Sequence, residues 1–201
     1  MQNTVTPPPA LALLQRSEAA RDAMLVLLFG ALTAVAAQLS ILLQPVPLTG
    51  TMLLVLLSGA LLGPRLGLLS QLTYLSIGFL GAPVFAGGKS TLAVMLGPTA
   101  GYLVAFPLAA WLSGVVAQRV RSLPALVAGL AAADVLVLLL GGLWLGFGSA
   151  WIQWAGTPAQ PDLAAGVLYG LQIGAVPFIG VEAIKIAVAT AVAWPLLRRT
   201  Q

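Results

Sequence analysis

The sequence contains no cysteine and no histidine. Their absence excludes disulfides, thiolate or imidazole metal ligands, and every mechanism built on a cysteine nucleophile or a histidine base. Charge is almost as scarce. Only 7% of the 201 residues are charged, five acidic and nine basic, against about 25% in soluble domains. The basic residues stand singly or in pairs between apolar runs, so the net charge of +4 marks topology and not a nucleic-acid surface. No nucleic-acid partner, metal or cofactor is expected. The first ten residues hold Pro7, Pro8 and Pro9 and no positive charge, and so do not read as a cleavable leader.

Apolar residues dominate instead: 60% of the chain is hydrophobic and the mean hydropathy is +1.03. A helix needs about 20 residues to cross the hydrocarbon of a bilayer, so the chain has room for roughly six or seven crossings. Apolar runs occupy 23–43, 51–62, 66–80, 91–118, 125–147 and 166–197. Pro45 and Pro47 stop the first, because proline lacks the backbone donor that a helix needs. Gly63-Pro64-Arg65 separates the second from the third, and a glycine-rich connection, 81–89, follows. Gly97-Pro98 predicts a kink or a late start in the fourth run, and Pro177 divides the last. Residues 1–22 are expected to form an N-terminal cytoplasmic tail, with 11–22 as an amphipathic lead-in, and 23–199 a single all-α domain of six transmembrane helices. The second and third runs are short for a full crossing, and short helices beside glycine-rich backbone point to a cavity.

With six crossings both termini share a side. That side gathers Arg16, Arg21, Arg65, Arg119, Arg121, Arg198 and Arg199, while the opposite connections hold only Lys89. Cytoplasmic loops collect lysine and arginine, so both termini are expected inside, in a multi-pass protein of the cell membrane.

Topology leaves three ionisable residues unexplained: Asp134, Glu182 and Lys185. A charge at mid-bilayer costs about 2.5–3.5 kcal/mol on insertion scales. Glu182 and Lys185 are three apart on one helix face, close enough to neutralise each other. Counted back from Arg198 at about 1.5 Å per residue, they lie roughly 24 and 20 Å above the cytoplasmic end, on the side of Lys89. Such a pair either glues two helices or meets a ligand, and the desolvation cost of burying it favours the ligand. Asp134 reads as a protonated or helix-bridging carboxyl, or as a ligand group. Gly87-Gly88-Lys89-Ser90-Thr91 has the ending of a phosphate-binding loop, but Pro83 stands where that motif needs its first glycine.

The order of motifs carries a resemblance. PVPLTGTM (45–52), SGALLGPRLGLLSQLTYLSIGFLGAPVFAGG (58–88), LGPTAGY (96–102) and Glu182-Ala183-Ile184-Lys185 resemble the BioY family, the biotin-binding S components of energy-coupling-factor (ECF) transporters. The similarity covers most of 23–197. Ala82 stands where the family has leucine, Ala100 where it has glycine, and Glu182 where its last-helix motif has aspartate.

The resemblance implies a six-helix S-component fold that captures biotin near the outer surface and is not an enzyme. It also implies partners: a T component and ATP-binding subunits. Glu182 is expected to accept from the ureido N–H groups of biotin, Lys185 to donate to the ureido carbonyl, and Lys89 to meet the carboxylate. Tyr74 and Gln71 either line the same cavity or hydrogen-bond across the bundle. Phe85 and Trp151 pack on the bicycle or sit at the interface, where Trp151 and Trp154 are better read as anchors. Gly30 and Ala34, at small-xxx-small spacing, either dock the T component or pack within the bundle. The rival readings are an S component for another small vitamin and a membrane assembly subunit without transport activity.

Overall fold

In the computed structural model, residues 9–41, 43, 45–91, 94, 96–152 and 157–200 are described. The side chains of Arg16, Trp151 and Arg199, and all of Trp154, lie outside the described residues, as do residues 1–8. The described chain is almost entirely helical. Helix α1 spans Pro9–Gln38, α2 Thr51–Leu62, α3 Pro64–Phe79, α4 Ala100–Arg119, α5 Leu123–Trp151, α6 Leu163–Gly174 and α7 Ile179–Thr200. Strands β1 (Ser40–Ile41) and β2 (Leu48–Thr49) pair antiparallel between α1 and α2.

The punctuation follows the sequence. Gly63, at φ 83°, ends α2, and Pro64 opens α3. Its missing N–H is one that a helix start leaves unpaired anyway. Pro98 delays α4 to Ala100, because the residue before a proline is kept out of helical geometry. The side chain of Asp162 accepts from the Ala165 N–H at 2.8 Å and caps α6. The last apolar run breaks into α6 and α7 through a tight 3-10 turn, Val176–Phe178, with Pro177 inside it.

Several boundaries differ from the sequence reading, and two of them have a clear cause. The first helix stops at Gln38, where five further residues to 43 were expected to continue it, because Ser40 and Ile41 pair with Thr49 and Leu48 instead. The fourth helix begins at Ala100, not 91, since the preceding backbone turns about Gly97-Pro98.

Among the described residues, four segments are long and apolar enough to cross a membrane: Glu18–Gln38, Ala100–Arg119, Leu123–Ala150, and Leu163–Arg198 taken across its break. Thr51–Leu62 is a shorter apolar helix. Only 17% of the apolar window in Glu18–Gln38 is buried, and Leu27, Leu28, Val35, Leu168, Ile184 and Val188 all face outward. An apolar exterior of this kind is what a bilayer requires of its protein.

Small residues bring the helices together. A side chain on Gly170 would overlap the Gly142 carbonyl and the backbone of Gly146, so α6 lies directly on α5. Gly59 admits the Ala110 carbonyl of α4 in the same way. Close backbone approach through glycine supplies van der Waals packing where the hydrophobic effect offers none. The centre is filled by Val55, Leu56, Leu126, Leu130 and Leu145, all fully buried.

A polar knot joins the first three helices. Thr33, Ser58 and Ser70 donate to the carbonyls of Phe29, Val55 and Gly67, leaving their oxygens as acceptors for the Gln71 amide at 3.3, 3.1 and 3.2 Å. Buried polar groups usually find partners within the protein; here the Gln71 amide nitrogen finds them on α1, α2 and α3, while its Oε1 is buried with none.

Candidate functional site

A cavity of about 790 Å³, counting the open space at its mouth, lies among α1, the β1–β2 connection, α2, α3, α4, α5 and the start of α7. The walls are mostly apolar and aromatic, with Met52, Tyr74, Phe85, Tyr102, Phe106 and Phe178 among them. Polar groups are few: Thr49, Thr51, Thr99, Lys89, Asp134 and Glu182.

The acidic groups come from two helices. Glu182 sits in the first turn of α7, where the positive end of the helix dipole favours a carboxylate. The break at Val176–Phe178 is what starts a helix at that depth. Lys185, one turn on, donates to Glu182 Oε1 at 2.6 Å, and both side chains are nearly buried. Glu182 Oε2 is buried with no donor of the protein bonded to it. Asp134, in the middle of α5 and 3% exposed, lines the same cavity as Glu182. Lys185 itself does not line the cavity. Its ammonium is engaged by Glu182, where it fixes one oxygen and leaves the other without a donor.

The opposite pole is built by the connection after α3. Gly87 and Gly88, at φ 71° and 70°, turn the chain so that Phe85 and Lys89 bridge antiparallel, with the Phe85 N–H on the Lys89 carbonyl at 3.0 Å. Positive φ is a conformation that glycine adopts without a Cβ clash. The Phe85 ring meets Tyr74 edge-on at 5.5 Å between centroids and tilts against Phe79 at 5.7 Å. The Gln38 amide donates to the Phe85 carbonyl at 3.2 Å, tying the connection to α1. Lys89 is exposed yet lines the cavity, which places its ammonium at the mouth.

The structure thus brings Glu182, Lys89, Tyr74 and Phe85 to one cavity, with Lys185 directly behind. Gln71 is different. It is fully buried in the knot of α1, α2 and α3 and does not line the cavity, because three hydroxyl acceptors hold its amide there. Gly30 is buried against the Ser70 carbonyl and Tyr74 N–H of α3, and Ala34 packs on the core half-buried. The close approach that Gly30 permits is used inside the bundle.

Three wall elements escaped the sequence reading. Tyr102 donates to the Gly174 carbonyl at 2.6 Å, the Thr49 and Thr51 hydroxyls share a 2.6 Å bond, and Phe178 enters through the helix break. The motifs LGPTAGY and PVPLTGTM held the first two, but nothing in them gave a direction for the side chains.

Comparison with known proteins is consistent across sequence and fold. Residues 4–201 match the family model described as the BioY family. A probable biotin transporter BioY of Pyrococcus horikoshii is 40% identical over 178 residues, covering 87% of this chain and 94% of that protein. The biotin transporter BioY of Thermotoga maritima is 35% identical over 166 residues, covering 83% and 89%. The crystal structure of the S-component for biotin from an ECF-type ABC transporter superposes with a TM-score of 0.74 at 23% identity, covering 92% of this chain and 94% of that one. That likeness concerns the fold. With the family model spanning nearly the whole chain and relatives matched over most of their length, the chain belongs to the BioY family.

Proposed function

We propose that this protein is a membrane-embedded substrate-binding component that captures biotin from outside the cell for import. The observation that carries the reading is a two-ended cavity: a buried carboxylate with a free oxygen at one end and a lysine ammonium at the mouth. Biotin has matching ends, a ureido ring with two N–H donors and a tail carboxylate. Glu182 takes the ureido pole, oriented by Lys185, and Lys89 takes the carboxylate. Charge-assisted hydrogen bonds at both ends are the strong kind, and the aromatic wall of Tyr74 and Phe85 packs on the apolar bicycle and chain.

The reading includes six crossings, with α6 and α7 forming the last together, and both termini in the cytoplasm. Supporting it, Arg65 lies beside Glu18 and Asp22 of α1, at the end of the bundle away from the cavity. The basic residues of that end satisfy the positive-inside rule, and the cavity then opens outward in the cell membrane. Energy for import comes, in this reading, from ATP-binding subunits acting through a T component. The T component meets the outward face of α1 beside Ala34, since Gly30 is occupied by α3. The chain is a transport component and carries out no chemistry on its ligand.

Equilibrium binding of biotin to the purified protein tests the proposal. Tight binding, lost in Glu182→Ala and weakened at least tenfold in Lys185→Ala but kept in the outward-facing Leu168→Ala, is the expected result. Binding of another vitamin in place of biotin would transfer the cargo assignment; a folded protein that binds neither would leave an assembly role.

A further inference from the structure

Helices α1 and α3 meet at Gly30, where a Cβ would lie 3.2 Å from the Ser70 carbonyl and 3.6 Å from the Thr73 methyl. Nearer their starts the two helices line an open groove. Glu18, Asp22 and Val26 stand on one wall and Arg65 and Leu69 on the other, with Thr73 at the end farther from the charges. Glu18 is also the first residue of the apolar segment Glu18–Gln38. The charged end of the groove therefore stands at the membrane boundary, and Val26 lies about 12 Å deeper along the helix, at about 1.5 Å per residue.

Glu18, Asp22 and Arg65 are all exposed. The one ion pair among the described residues is Lys185–Glu182, so Arg65 is not spent on the carboxylates across the groove. Two carboxylates and one guanidinium leave the polar end with a net negative charge. That balance repels an anionic headgroup, and a simple cation makes no use of Arg65 or of the apolar wall. A phosphodiester lipid carrying a primary ammonium satisfies every part of it. The ammonium has three N–H donors for Glu18 and Asp22, the phosphate accepts from the guanidinium, and an acyl chain runs along Val26 and Leu69.

We propose that the α1–α3 groove is a binding site for phosphatidylethanolamine, its headgroup held between Arg65 and the two carboxylates. The occupant is a lipid because the apolar half of the groove belongs to a membrane-crossing segment whose neighbouring residues, Met24, Leu27 and Leu28, face outward. A choline headgroup fits worse, since its trimethylated nitrogen has no N–H to donate. The groove is separate from the cavity, and the proposal is independent of the cargo.

The test follows thermal unfolding of the delipidated full chain in detergent with phosphatidylethanolamine, phosphatidylcholine or phosphatidylglycerol of identical acyl chains. Native mass spectrometry counts the lipid retained. Phosphatidylethanolamine is expected to raise the unfolding temperature by about 3 °C or more, at least twice the shift given by either of the others. Glu18→Gln combined with Asp22→Asn should abolish that preference, and Leu69→Trp, which fills the groove, should remove the retained lipid. Equal shifts from all three lipids would mark ordinary contact with the surrounding bilayer and overturn the proposal, as would a preference that survives the double variant. Glycerophosphoethanolamine, the same headgroup without acyl chains, should give no shift; a shift equal to that of the intact lipid would refute a lipid occupant. Neither shift nor retained lipid would also overturn the proposal and leave the groove to a protein partner. Should a variant fail to fold, the comparison of the three lipids on the unaltered chain still decides.

Discussion

The ring of Phe85 occupies the space that a side chain on Gly78 would need; a Cβ there would overlap Cζ of the ring. The contact seats the connection after α3 against that helix, with the Thr91 N–H on the Gly78 carbonyl at 2.8 Å as a second tie. Gly78→Ala is expected to push Phe85 out of the cavity wall. Overpacking of this kind costs about 1–3 kcal/mol, and the displaced ring is part of the binding surface. Biotin affinity should fall at least tenfold in calorimetric titration while the helical circular dichroism is unchanged.

Glu182→Gln leaves the Lys185 ammonium nearly buried beside a neutral amide. Removing one member of a buried pair costs about 3–5 kcal/mol, whereas removing both charges with an apolar replacement is often close to neutral. Thermal unfolding in detergent should therefore show Glu182→Gln well below the parent and Glu182→Gln with Lys185→Met recovering much of the difference. Neither variant should bind biotin tightly. A double variant less stable than the single one would show that the pair does not act as a unit.

Lys89 at the mouth is assigned the carboxylate of the ligand. Lys89→Ala should weaken biotin by about tenfold or more, in line with roughly 1.5–3 kcal/mol for a hydrogen bond to a charged group. The primary amide of biotin, which lacks the charge, should lose far less. Equal losses for acid and amide in competition binding would place the carboxylate elsewhere.

Gly170 and Gly180 make a contrasting pair. A methyl on Gly170 meets the backbone of α5, while one on Gly180 meets nothing within 4 Å. Gly170→Ala should separate α5 from α6 and yield aggregated or unfolded protein on size-exclusion chromatography. Gly180→Ala should be neutral or raise stability by up to about 1 kcal/mol, the difference between glycine and alanine within a helix.

Much of this was legible in the residues. The scarcity of charge announced a membrane, Gly63-Pro64 and Pro177 announced the breaks, and the charges left over inside apolar runs, Asp134, Glu182 and Lys185, proved to stand together. The pair Glu182–Lys185 was readable because helical spacing alone places residues three apart on one face. Gln71 was not: a buried amide serves a knot or a ligand equally well in one dimension, and only the partners Thr33 and Ser58, 38 and 13 residues away, decide. The direction of Lys185 was hidden for a related reason. Sequence showed that it could meet Glu182, and not that it would stand outside the lining of the cavity. Gly142, Gly146, Gly166 and Gly170 carried the small-xxx-small signal in plain view, but that spacing says a helix approaches without saying which one.

The break between α6 and α7 has a cost that one phenol offsets. In an unbroken helix the Gly174 carbonyl would accept from the Phe178 N–H, which instead bonds to Ala175 at 3.1 Å. Hydrocarbon offers no water to the carbonyl left over, and the Tyr102 hydroxyl reaches it from α4. Discontinuity and tyrosine thus act as a single device, written 72 residues apart. A variant with a straight last helix would have no use for the hydroxyl, and one without the hydroxyl would have reason to straighten, carrying Phe178 and Glu182 away from the cavity as it did.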